Sequence, residues 1–114
     1  MSASRRKGTA FETAVVTFLR EAGFAACERR ALSGRADKGD IAGIPGWTLE
    51  CKNEQRMTLA SYVDDAFVEA VNAKTPWYAA VVKRRGRGTS HSYVVMPLSV
   101  FAEIAKKMSM QHHG

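Results

Sequence analysis

The segment Gly43-Ile44-Pro45-Gly46 constrains this chain more than any other. It consists of turn-forming residues, and the runs on either side, 39–42 and 47–52, read as strands. Such a pattern folds as a hairpin about Pro45. Asp40 and Glu50 are equidistant from that pivot, so the hairpin sets them opposite one another. Directly opposed Cβ atoms lie roughly 4.5–5.5 Å apart, and like charges there repel. Strand side chains alternate faces, so Glu50 and Lys52 share one face and Cys51 takes the other. Two facing carboxylates with a lysine beside them have no simple structural purpose. A divalent cation would relieve the repulsion and put it to use.

The chain has 114 residues, the size of one domain spanning 1–114 with a modest single core. No run of about 18 apolar residues exists, so no membrane span is expected. The basic N-terminus lacks a following apolar stretch, so no signal peptide is expected either. Cys27 and Cys51 have neither metal-ligand spacing nor the density of a disulfide scaffold, which fits a reducing, cytoplasmic setting. The formal net charge of +6 points to a polyanionic partner, most simply nucleic acid, or to a merely soluble basic protein.

Periodicity gives an α/β order. Residues 8–22 read as a helix that ends at Gly23, and 24–30 read as a strand. A polar loop over 33–39 leads into the hairpin. Residues 58–73 form a second helix, with Leu59, Tyr62, Val63, Ala66, Phe67, Ala70 and Val71 inward and Asp64, Asp65 and Glu69 outward. A buried strand follows over 77–83, then a basic glycine-bearing loop over 84–90 and a strand over 92–96. Pro97 opens a third helix with Leu98, Phe101, Ala105 and Met108 on its inner side, fraying from Ser109. The expected order is αβββαββα, a central mixed sheet flanked by helices.

Basic residues cluster in three places. Arg5, Arg6 and Lys7 precede the first helix; Arg29, Arg30, Arg35 and Lys38 lie just before the hairpin; Lys83, Arg84, Arg85 and Arg87 crowd the late loop. A phosphate backbone would favour these and avoid the acidic second helix. Other constellations fail. His91, His112 and His113 have no zinc spacing, and no nucleophile elbow or Walker loop is present.

The triplet Gly39-Asp40 … Glu50-Cys51-Lys52 resembles the PD-(D/E)XK nuclease superfamily, with Gly39 in place of the eponymous proline. The stretches Arg6-Lys7-Gly8-Thr9-Ala10-Phe11-Glu12, Ala22-Gly23-Phe24 and Arg30-Ala31-Leu32-Ser33-Gly34 narrow the likeness. They resemble the archaeal-type Holliday-junction resolvases and their phage relatives. The likeness covers about residues 5–54. It implies a restriction-endonuclease-like αβββαββα core and Mg²⁺-dependent hydrolysis of DNA phosphodiesters at four-way junctions, with Mn²⁺ able to substitute. It also implies a 5′-phosphate product, a homodimer matched to a two-fold substrate, and a bacterial, archaeal or phage-encoded protein. The alternatives are another nuclease of the superfamily (restriction-like, flap or single-strand) and a non-catalytic nucleic-acid-binding module on the same fold.

On this resemblance Asp40, Glu50 and Glu12 are metal ligands, with the Cys51 carbonyl as a further backbone ligand. Lys52 orients the attacking water or meets charge on the phosphate. Glu12 has a second reading, since Thr9-x-x-Glu12 is a capping box for a helix that begins nearby. Ser33 acts at the scissile phosphate or is simply a turn residue. Arg30 or Arg29 contacts phosphate. Thr13 stands where the archaeal enzymes carry an arginine, so that function moves to Arg5 or Arg6.

Overall fold

A computed structural model describes residues 3–30 and 37–112, with side chains from residue 7 onward. The elements run α1 (Ala3–Glu21), β1 (Glu28–Arg29), β2 (Ile41–Ala42), β3 (Trp47–Lys52), α2 (Leu59–Ala73), β4 (Trp77–Val82), a 3₁₀ turn (Thr89–His91), β5 (Tyr93–Val95) and α3 (Leu98–His112). The strands form one mixed sheet in the order β1-β2-β3-β4-β5. β3 and β4 are parallel and every other pair is antiparallel. A parallel pair needs a long crossover, and α2 supplies it.

The sheet is covered on both faces. On one, Phe11, Val15 and Val16 of α1 pack with Ile41, Leu49, Ala79 and Val81. On the other, Tyr62 of α2 packs with Ala80 and Val82, and Val95 closes the edge. The alternation of β3 follows from this. Leu49 and Cys51 turn toward α1, while Thr48, Glu50 and Lys52 turn toward α2. The α/β class and the mixed sheet flanked by helices agree with the sequence reading.

Several details differ from that reading. α1 begins at Ala3 rather than near residue 8, so Thr9 and Glu12 sit inside the helix and cannot form its capping box. The strand expected over 24–30 shrinks to Glu28–Arg29. The chain first has to turn out of α1: Gly23 takes φ +117°, the Cys27 N–H donates to the Phe24 carbonyl, and Arg20 Nε donates to the Cys27 carbonyl at 2.7 Å. α3 stays helical to His112 instead of fraying from Ser109.

The inward faces of two helices are also rotated. In α2 the buried residues are Tyr62, Ala66, Glu69 and Ala70, while Phe67 and Val71 are more than half exposed. In α3 only Val100 is buried, and Leu98, Phe101 and Met108 face outward. Space over the β3–β4 pair explains the α2 shift. Small alanines let the helix approach the sheet closely, and the Phe67 ring instead meets Tyr78 edge-on at the rim, 5.5 Å between centroids.

Candidate metal and nucleic-acid site

The hairpin registers as its turn symmetry requires. Ile41 pairs with Leu49, and the Asp40 N–H donates to the Leu49 carbonyl at 3.0 Å, so Asp40 lies opposite Glu50. Two glycines with positive φ, Gly43 and Gly46, close the turn. At Gly43 a Cβ would fall 2.2 Å from the Ala26 carbonyl oxygen, so the turn packs too tightly for any side chain there.

Gly39 has a backbone that proline could not adopt. Its φ is +95°, a region closed to proline, and its N–H donates to Asp37 Oδ1 at 2.9 Å. This side-chain turn steers the chain into β2 and aims Asp40 at β3.

Asp40 and Glu50 are brought together. Asp40 Oδ2 accepts the Cys51 N–H at 2.8 Å, which fixes that carboxylate against β3. Burial lifts Asp40 to about 8, helped by Glu50. Burial likewise lifts Glu50 to about 8; its contact with Asp40 opposes the rise and Glu69 adds to it. The two behave as a coupled pair that resists carrying two charges without a cation between them. Burial also raises Glu12, with Asp40 contributing and Arg29 pulling the other way. Arg29 Nε meets Glu12 Oε1 at 3.3 Å.

These groups line one open cleft of about 610 Å³, together with Lys7, Gly8, Cys51, Lys52 and Asn53. Lys52 Nζ reaches Asp65 Oδ2 at 3.2 Å and lies 5.4 Å from the centre of the Tyr62 ring. Burial lowers its affinity for a proton, but Glu50 and Asp65 outweigh it, so Lys52 stays charged. Tyr62 donates to Glu54 Oε2 at 2.8 Å and holds the segment after β3. Burial raises the Cys51 thiol well above its ordinary value, so the thiol stays protonated rather than acting as a thiolate.

Of the basic clusters, Lys7 lines the cleft and Arg29 is spent on Glu12. Arg30 Nε is buried without a hydrogen-bond partner among the described residues. The basic loop starts at the site's end of the sheet, where the Lys83 N–H donates to the Lys52 carbonyl at 3.0 Å, and Lys83, Arg85 and Arg87 are exposed. Ser33, Arg35 and the side chains of Arg5 and Arg6 lie outside the described residues.

Glu69, outward in the sequence reading, is instead buried at 5 % exposed. Burial raises it to about 7; its contact with Glu50 opposes the rise, and Asp37 and Asp40 add to it. The spacing Tyr62, Ala66, Glu69, Ala70 carries helical phase too, but the larger Phe67 and Val71 outweigh it in any hydropathy count. No described helix is long and apolar enough to cross a membrane. The chain matches no protein-family model, no curated protein and no solved structure.

Proposed function

We propose that this chain is a divalent-metal-dependent endonuclease of the PD-(D/E)XK kind, acting on DNA and most specifically on four-way junctions, as a homodimer. The observation that carries the reading is the Asp40–Glu50 pair, half-buried and buried in turn and face to face across the hairpin, with Lys52 beside it at the mouth of an open cleft. The order of helices and strands supports a restriction-endonuclease-like core. The basic loop leaving from the Lys52 end of the sheet supports a phosphate backbone as ligand.

The residues suit Mg²⁺ or Mn²⁺. Asp40, Glu50 and Glu12 offer only hard oxygen donors, and Asp40 and Glu50 are largely buried without a salt bridge among the described residues. A bound ion supplies Lewis acidity and a more acidic water. The chain does the rest. Lys52 holds a proton at Nζ beside the place where phosphate charge builds. Lys7 draws the strand into the cleft, and Gly8, with no atom near its Cβ position, leaves room for it. Asp65 keeps Lys52 extended along β3.

The test is cleavage of a synthetic four-way junction against matched duplex, flap and single strand, with and without Mg²⁺. Glu50→Ala should abolish cutting and leave junction binding largely intact. If parent and variant bind alike and neither cuts with Mg²⁺ or Mn²⁺, the chain is a binding module. If duplex, flap or single strand is cut in preference, the junction assignment falls and the nuclease assignment stands.

A further inference from the structure

Beside the cleft lies a second group of acids, of which the nuclease motif includes only Glu50. Asp37, Glu50 and Glu69 each offer a carboxylate oxygen, and these atoms all lie within 4.8 Å of one another. Neither Asp37 nor Glu69 lines the cleft, and Glu50 belongs to both groups. Three separate elements build the second one. β3 supplies Glu50, α2 supplies Glu69, and the segment before β2 supplies Asp37. Asn72, one turn beyond Glu69 on α2, donates to the Asp37 main-chain carbonyl at 2.8 Å and pins that segment to the helix. The Gly39 N–H occupies Asp37 Oδ1 and leaves Oδ2 available.

The decisive atom is Glu69 Oε2. It belongs to a residue that is 5 % exposed and that offers a carboxylate oxygen to the cluster, where its neighbours Glu50 and Asp37 are themselves acids, and no hydrogen-bond partner among the described residues reaches it. A carboxylate oxygen held away from water with no donor is costly, because its hydration is given up and nothing replaces it. No salt bridge among the described residues reaches Asp37, Glu50 or Glu69.

Size and hardness select the ligand. Oxygen ligands sit at about 2.0–2.1 Å from Mg²⁺ and about 2.3–2.6 Å from Ca²⁺, so donors of one ion lie no more than roughly 4–5 Å apart. The observed spread falls in that range.

We propose that Asp37, Glu50 and Glu69 form a second divalent-cation site, structural in role, that ties α2 and the 37–40 segment to β3. It shares Glu50 with the catalytic reading but does not depend on it.

The probe is Mn²⁺ alone, with bound ions per chain counted by electron paramagnetic resonance and the thermal midpoint read in parallel. Glu69→Gln should bind one ion fewer than the parent and lose most of the Mn²⁺-induced rise in midpoint. Asp37→Asn should do the same, and it serves as the second variant if Glu69→Gln does not fold. An unchanged count and an unchanged rise in the folded variant would overturn the site.

The double variant Glu12→Gln/Asp40→Asn separates this inference from the nuclease reading, since it removes two cleft carboxylates and leaves Asp37, Glu50 and Glu69 in place. If it keeps one ion that Glu69→Gln removes, the second site stands whatever the cleft does. If the double variant and Glu69→Gln each empty the chain of Mn²⁺, a single shared ion explains both, and the second site is refuted.

Discussion

The two faces of β3 do opposite work within six residues. Toward α1, Leu49 and Cys51 fill a core with Phe11, Val15 and Val81. Toward α2, Thr48 and Glu50 are buried and Lys52 is half-buried, yet two of the three are ionisable. The first face stabilises the fold through apolar burial. The second lowers stability, because its acids are taken from water without a matching set of bases. On the proposed function, that loss is offset when the face binds a cation.

The sharpest way to break that comparison is to truncate neighbours on opposite faces. Glu50→Ala should reduce junction cleavage by at least about 10²–10³-fold in a metal-containing assay, as expected when charge stabilisation at a reacting centre is removed. Its urea midpoint should hold or rise. Leu49→Ala should do the reverse, costing about 2–5 kcal/mol in urea unfolding. The protein that remains folded should still cut. A Glu50→Ala chain that unfolds, or a folded Leu49→Ala chain that is inactive, would erase the distinction.

A smaller effect sharpens it. In EDTA, Asp40 and Glu50 take up protons more readily in the folded chain than in the unfolded one, with folded values of about 8 for each. Between about pH 4 and 8 the folded state therefore binds more protons, and stability falls as pH rises through that window. Below about pH 4 the contribution is fully present. Asp40→Asn should flatten the slope of unfolding free energy against pH. A parent whose stability is level or climbs over this range would contradict the burial of the acid face.

The smallest effect concerns the approach of the ligand. Neutralising Arg84, Arg85 and Arg87 should lower the slope of log affinity against log salt by at most about 3, near 0.9 for each phosphate that is no longer neutralised. An unchanged slope would remove that loop from the interface.

What the sequence made legible was local. The turn 43–46 and its even spacing set the register that places Asp40 against Glu50, because a tight turn leaves little freedom in pairing. The class of fold followed from a helix placed between two buried strands. Glu69 could not be read in this way, since α2 has two apolar stripes and only the packing over Ala80 decides which is inward. α3 went astray for the same reason. Leu98, Phe101 and Met108 make a convincing inner stripe in one dimension, but the described fold places no core against them. The short β1 was hidden too, because the turn after Gly23 consumes residues whose apolar character suits a strand.

The crossover through α2 has one more consequence, and it concerns time. β3 acquires its parallel neighbour, and Glu50 its lid, only after α2 and β4 have been made. During synthesis the hairpin emerges first, with its acids hydrated and ionised, and long-range parallel pairing is slow to follow. The carboxylates are thus covered only once the crossover has formed, so a cation present at that moment would be captured by folding itself.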